Sequence, residues 1–327
     1  MTVPKNKSLK KPSRAITIPI PNFYNGNYLT GLVTGILVGL LLFVLVPKLV
    51  TKGGGLKLNL KSESQITPAQ TSAVDSGQIT KSVLPEKYNL GISFGETIKK
   101  LVDAGAIDKQ KFLDLYKERG GLQEEFAKLL DGSSDDQITV TADNSGIILN
   151  LLWPLGIANK TKLLADGPMS KDAGSFASTG GWTLGREDGG KLFNRFPIFS
   201  LTVKEEALVT EIAQGIYRPC CGNSTYFPDC NHGAAMLGFI ELAVVQGMPK
   251  DEIYKKALVL NSYWFPQTYV ELATYFKSEK NIDWNKIDPK EVLGGNYSSG
   301  QGYLTVNKEL QAKGLIPKVE GGGGCGV

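Results

Sequence analysis

The chain has 327 residues, 42% of them apolar, 21% charged and 9% aromatic, which excludes a disordered tail, a collagen and a multi-span transporter. Its net charge of +4 is unevenly spread: residues 1–61 hold nine Lys/Arg and no acid, leaving 27 basic against 32 acidic residues elsewhere, net −5. A nucleic-acid-binding body would need a basic surface, so no nucleic-acid partner is expected.

Residues 1–28 form a basic tail carrying Lys5, Lys7, Lys10, Lys11 and Arg14. Leu29 to Val46 is a run of 18 residues without a charge, nearly all Leu, Val, Ile, Gly and Phe. At 1.5 Å per residue it spans about 27 Å, close to the roughly 30 Å hydrocarbon thickness of a bilayer. A transmembrane helix is therefore expected over residues 29–50, in contact with the lipid bilayer, with Phe23, Tyr24 and Tyr28 at its interface. No small-x-small cleavage site follows Val46, so this reads as an uncleaved signal anchor. Basic residues before the helix slightly outnumber Lys48, Lys52, Lys57 and Lys61 after it, which places the body outside the cytoplasm, in the cell envelope. Gly31, Gly35 and Gly39 fall on one helix face and would let two such helices approach as a homodimer.

Residues 51–85 read as a flexible linker: three glycines from Gly53, then Ser, Thr, Gln and Lys with few large apolar side chains. Thirty-five such residues reach about 33 Å root-mean-square. Residues 86–319 read as one globular body, mainly α with a small β element. Phe112, Leu115 and Tyr116 mark a helix within 108–120, and Leu122, Phe126, Leu129 and Leu130 mark the next. Strands are expected at Gln137–Ala142 and Phe196–Val203, with a Gly-rich irregular stretch, 164–192, between them. Within that stretch, the loop Ser178–Gly185 has the hydroxyls and amides of an anion cradle, though it matches no phosphate-binding motif. Leu208, Ile212 and Ile216 give a helix over 204–217. Ala234–Val245 has only Glu241 as a charge, so a central, all-round buried helix is expected, stopped by Gly247. Pro249 opens another, and Asn261–Pro266 opens an aromatic-rich helix running through Tyr269, Tyr275 and Phe276.

The chain has four Cys and one His, and four of these five lie within 13 residues: Cys220, Cys221, Cys230 and His232. Three thiolates and an imidazole make a complete tetrahedral set for zinc, or a cysteine-rich iron–sulfur centre. Gly222, Asn223 and Pro228 let the intervening loop fold back on itself. From Cys221 onward, Cys221, Ser224, Pro228 and Cys230 match C-x-x-S-x-x-x-P-x-C and so resemble part of the CDGSH-type iron–sulfur motif. The likeness covers only this loop. His232 follows Cys230 by two positions rather than four, no Asp-Gly follows, and the first two Cys are adjacent.

Two other readings stand beside the metal or cluster site. In an oxidising compartment Cys230 would pair with Cys220 or Cys221, making a disulfide-stapled loop in a structural or interaction protein. A Cys–His dyad would instead make a thiol enzyme. With His232 as the only imidazole, held within the cluster, a serine triad is not expected. Residues 320–327 are a Gly-rich tail that would carry the Cys325 thiol on a floppy tether.

Overall fold

The computed structural model describes residues 76–317. The transmembrane helix, its Gly31, Gly35 and Gly39 stripe, most of the linker and the Cys325 tail therefore lie outside the described residues. No helix among the described residues is long and apolar enough to cross a membrane.

The described part is mainly α-helical with one two-stranded antiparallel sheet. Its first element, α1 (Ser76–Val83), occupies the end of the expected linker. Val83 is buried, and the Pro85 carbonyl accepts a hydrogen bond from the Tyr263 hydroxyl, so this segment packs on the body. Strand β1 (Tyr88–Gly95) follows; Leu90, Ile92 and Phe94 alternate inward, as a half-buried strand requires. Next come α2 (Thr97–Asp103), α3 (Lys109–Lys117) and α4 (Glu124–Leu129), the last two on the expected stripes, with Phe112, Tyr116, Phe126 and Leu129 buried. Strand β2 (Ser134–Val140) pairs with β1 in a register that sets Tyr88 opposite Val140.

The second expected strand does not form. Phe196 makes only an isolated bridge to Asn159, and Thr202 then starts α6 (Val203–Gly215). Its hydroxyl accepts from the Glu205 amide at 3.3 Å while the Glu205 carboxylate accepts from the Thr202 amide at 2.7 Å. That reciprocal capping box fixes a helix start within the segment read as a strand.

The core is built on two helices that are apolar on every side, α5 (Ser145–Ala158) and α7 (Asn231–Val245). Helix α7 is the central helix expected from the sequence, and Gly247 beyond it takes a positive φ of 75°. Helix α5 was not expected, because its residues show no 3.6-residue stripe and include the helix breakers Pro154 and Gly156. The two approach to backbone contact. A Cβ on Gly156 would stand 1.9 Å from the Ala234 carbonyl oxygen, and one on Gly238 would stand 2.3 Å from that of Leu152. Only glycine allows this approach, which extends dispersion contact along both backbones.

Helix α8 (Lys250–Trp264) starts after Pro249 as expected. The aromatic segment does not open the next helix. Asn261–Trp264 ends α8, Phe265 breaks the chain direction, and Pro266 stands at the first position of α9 (Pro266–Lys280). Proline is preorganised for that position and has no amide to leave unpaired there. Helix α1 packs on α9. The last helix is α10 (Gly300–Ala312).

The Gly-rich stretch 164–192 is irregular with short helical turns, and it is a packed wall. Trp182 is buried and donates to the Ala106 carbonyl at 2.8 Å, Trp153 donates to that of Ser178 at 2.6 Å, and the two indoles meet edge to face at 5.0 Å. Ser178 and Thr179 are fully buried, which gives that part of the loop a packing role.

Glu241 lies in the middle of α7 with no solvent exposure. Asn159 donates to its Oε2 at 3.0 Å, while Oε1 has no partner. Burial holds its carboxyl well above the ordinary range against the Asn159 hydrogen bond, and nearby Glu206 pushes in the same direction as burial. The folded state therefore binds a proton that the unfolded chain releases above about pH 4.3. Stability from this group is complete below that pH and is lost as pH rises toward the folded pKa, by at most about 1.4 kcal/mol per pH unit. Glu241→Gln should match the parent near pH 4 and exceed it increasingly toward pH 8 in urea denaturation. Parallel pH profiles for the two proteins would show that Glu241 is ionised in the fold.

Candidate metal centre

The loop between α6 and α7 is closed at its base before any cysteine is placed. Tyr217 bridges Ser224, the Thr225 amide donates to the Ile216 carbonyl at 2.8 Å, and the Tyr226 amide donates to that of Ala213 at 3.0 Å. Outside the loop, the Tyr217 amide donates to the Leu293 carbonyl at 2.8 Å, and Asn261 donates to the Tyr217 carbonyl at 3.0 Å. The turn residues fold the loop back, as its composition led one to expect.

The interior of the loop is filled by Arg218, which is 1% exposed. Its Nε donates to Cys230 Sγ at 3.0 Å, Nη1 to the Asn223 carbonyl at 3.0 Å, and Nη2 to the Phe227 carbonyl at 2.9 Å and to Asp229 Oδ1. Asn223 Nδ2 completes the Asp229 carboxylate with a 2.8 Å bond to Oδ2. The guanidinium lies against the first turn of α7, where a Cβ on Gly233 would come within 2.6 Å of Arg218 Cζ. A cation beside a helix N-terminus is electrostatically disfavoured, so Asp229 and the Cys230 sulfur are needed there as negative partners.

Cys230 caps α7, its Sγ accepting from the Gly233 amide at 3.4 Å. Its thiol is held well below the ordinary range: hydrogen bonds from Cys220 and Cys221 to its thiolate outweigh burial, and His232 and Arg218 add to them. The Cys220 thiol is pushed up by its hydrogen bonds with Cys221 and Cys230 and by burial. Cys221 is pushed up to about 11: a hydrogen bond with Cys220 lowers it, but donation to Cys230 and burial raise it more.

The sulfurs are close enough to share a metal ion. Cys220 Sγ and Cys230 Sγ are 3.5 Å apart. Two thiolates on one tetrahedral zinc, each at about 2.3 Å, stand about 3.8 Å apart, whereas a disulfide bond is about 2.05 Å. Ligand atoms of Cys220, Cys230 and His232 all lie within 4.8 Å of one another, and a second set of Cys221, Asp229 and Cys230 meets the same limit. The four residues expected from the sequence thus occupy one neighbourhood, with Cys230 common to both sets. The His232 ring is held by Phe265, with centroids 4.4 Å apart, and by Trp264 at 6.0 Å.

Arg218 and Asp229 were missed by sequence reasoning, which looked for thiols and imidazoles. The available signal was an Arg two residues before Cys220 and an acid immediately before Cys230. The wall described above is tied to the site, since the Ser178 amide donates to the Asp229 carbonyl at 3.0 Å and Phe176 meets Phe227 edge to face at 5.1 Å. Comparison with family models, with curated proteins and with solved structures finds no match.

Removing Arg218 would leave Asp229 and two loop carbonyls without their donor. Arg218→Met should therefore lower stability by about 3–5 kcal/mol, which for a body of this size is ~10 °C in melting temperature. Thermal melting of the reduced, metal-free protein measures this, and a shift of one or two degrees would show that the guanidinium is not the loop's anchor.

Proposed function

We propose that the chain is a single-pass, membrane-anchored protein of the cell envelope whose body binds one metal ion at the loop before α7. The observation that carries this reading is the convergence of Cys220, Cys230 and His232 within 4.8 Å, next to Cys221. Two thiolates and an imidazole suit zinc above harder divalent ions, and zinc is the metal proposed. An iron–sulfur cluster is the second choice, resting on the loop's cysteine spacing. The anchor reading rests on the uncharged run from Leu29 to Val46. A structural disulfide is the competing reading, resting on the oxidising compartment that the anchor reading implies.

Elemental analysis of the full chain, purified in detergent with reductant, should give about one zinc per chain. Chelation should lower the melting temperature, because coordination energy contributes to folding of the loop. His232→Ala should weaken binding by at least about 100-fold, and Cys230→Ala should weaken it further by also removing the cap of α7. A disulfide would show, in a parallel preparation without reductant, as a metal-free protein two hydrogens lighter, insensitive to chelator and destabilised when reductant is added. Iron with visible absorbance would replace zinc by a cluster. For topology, a reporter fused after Val327 should be active only outside the cytoplasm, and cytoplasmic activity would reverse the orientation.

A further inference from the structure

The four sequence-expected ligands do not make equal claims on one ion. Cys220 and His232 belong to one set of donor atoms and Cys221 to the other, where its companions are Asp229 and the shared Cys230. A cation already occupies that second set. Arg218, 1% exposed, donates through Nε to Cys230 Sγ at 3.0 Å and through Nη2 to Asp229 Oδ1. A guanidinium bonded to two of the three donors repels a second divalent ion and supplies the charge that such an ion would bring.

Cys221 lies beside Cys220 and Cys230 but outside the set that includes His232. Its Sγ is 3.9 Å from the Asn223 carbonyl oxygen and 3.9 Å from Asp229 Oδ1. Its carbonyl accepts from the Gly300 amide at 2.8 Å, at the start of α10. That helix start presses on the loop: a Cβ on Gly300 would lie 3.2 Å from the Pro219 oxygen and 3.3 Å from that of Cys221. The backbone carrying Cys221 is thereby fixed against α10, and only rotation about its Cα–Cβ bond can re-aim the thiol.

Charge favours the same outcome. A divalent ion with the Cys220 and Cys230 thiolates and a neutral His232 sums to zero, and Arg218 with Asp229 also sums to zero. A third thiolate would add a further negative charge with no partner, whereas a neutral water in the fourth position adds none. Cys220, Cys230 and His232 are each only partly buried, so solvent can reach an ion held between them.

Resting on the zinc reading above, we infer that the metal is held by Cys220, Cys230 and His232 alone, and that its fourth position takes an exchangeable water. Two thiolates, one imidazole and one labile donor form a ligand set of the catalytic type rather than of the closed structural type. Such a metal can polarise the oxygen, nitrogen or sulfur donor that it binds. Cys221 is then a neighbouring thiol and not a ligand.

Cobalt substitution of the full chain in detergent tests this, since Co(II) reports its thiolates by charge-transfer absorption and its geometry by visible bands. Adding azide or imidazole should shift the visible bands saturably while the cobalt content stays at one per chain. Cys221→Ser should keep both the cobalt and the thiolate charge-transfer intensity. The inference is overturned if exogenous donors leave the wild-type spectrum unchanged. It is equally overturned if Cys221→Ser lowers charge-transfer intensity by about a third, the fraction expected for losing one of three thiolates. The titration uses the wild-type chain, so it decides the matter even where the variant folds poorly. A wild-type chain that takes up no cobalt and no zinc retires the metal reading itself, and this inference with it.

Discussion

The buried guanidinium of Arg218 is the constraint on which the site depends. A charge that is 1% exposed must find anionic and carbonyl partners at once, and it finds them in Cys230, Asp229, Asn223 and Phe227. Those partners come from one short loop, so satisfying the guanidinium fixes the loop's shape. The fork geometry of the side chain matters here, because a lysine ammonium could not address a sulfur, a carboxylate and two carbonyls in one plane. The same hydrogen bonds orient Cys230 and Asp229 around the guanidinium.

The loop is rigid only because its two ends are. One end leaves α6, and the other enters α7, which is pressed backbone to backbone on α5 through Gly156 and Gly238. Cys230 caps α7 and His232 lies in its first turn, so two of the proposed ligands share the position of a helix buried along most of its length. The His232 ring is flanked by Phe265 and Trp264, residues at the junction of α8 and α9. Outer packing of this kind holds a ligand's ring orientation before any ion arrives.

Glu241 stands at the other end of the same argument. It is the single charge-bearing side chain of α7, fully buried and satisfied at only one oxygen. Its bond to Asn159 ties α7 to the end of α5, but an ionised carboxylate there would be costly to desolvate. Neutralisation by protonation resolves this for Glu241. At Arg218, which stays charged, resolution comes from paired anions instead.

Much of the architecture was legible in the sequence. The mainly α class, the stripes of α3 and α4, the buried α7 and its stop at Gly247 all follow from apolar spacing and from glycine's access to positive φ. The crowding of Cys220, Cys221, Cys230 and His232 into 13 residues was enough to locate the candidate site. Local signals misled where two of them competed. Phe196–Val203 has strand composition, but the Thr202–Glu205 capping box begins a helix there, and Pro266 moves a helix start past the aromatic run that was read as its opening. Tertiary structure alone decided the rest. It paired Tyr88–Gly95 with a strand some 40 residues away, made a helix of Ser145–Ala158, and set Arg218 among the ligands. These outcomes depend on which groups are desolvated together and on what can neutralise them. That is a property of burial between distant segments, and a residue's own neighbours in the chain do not encode it.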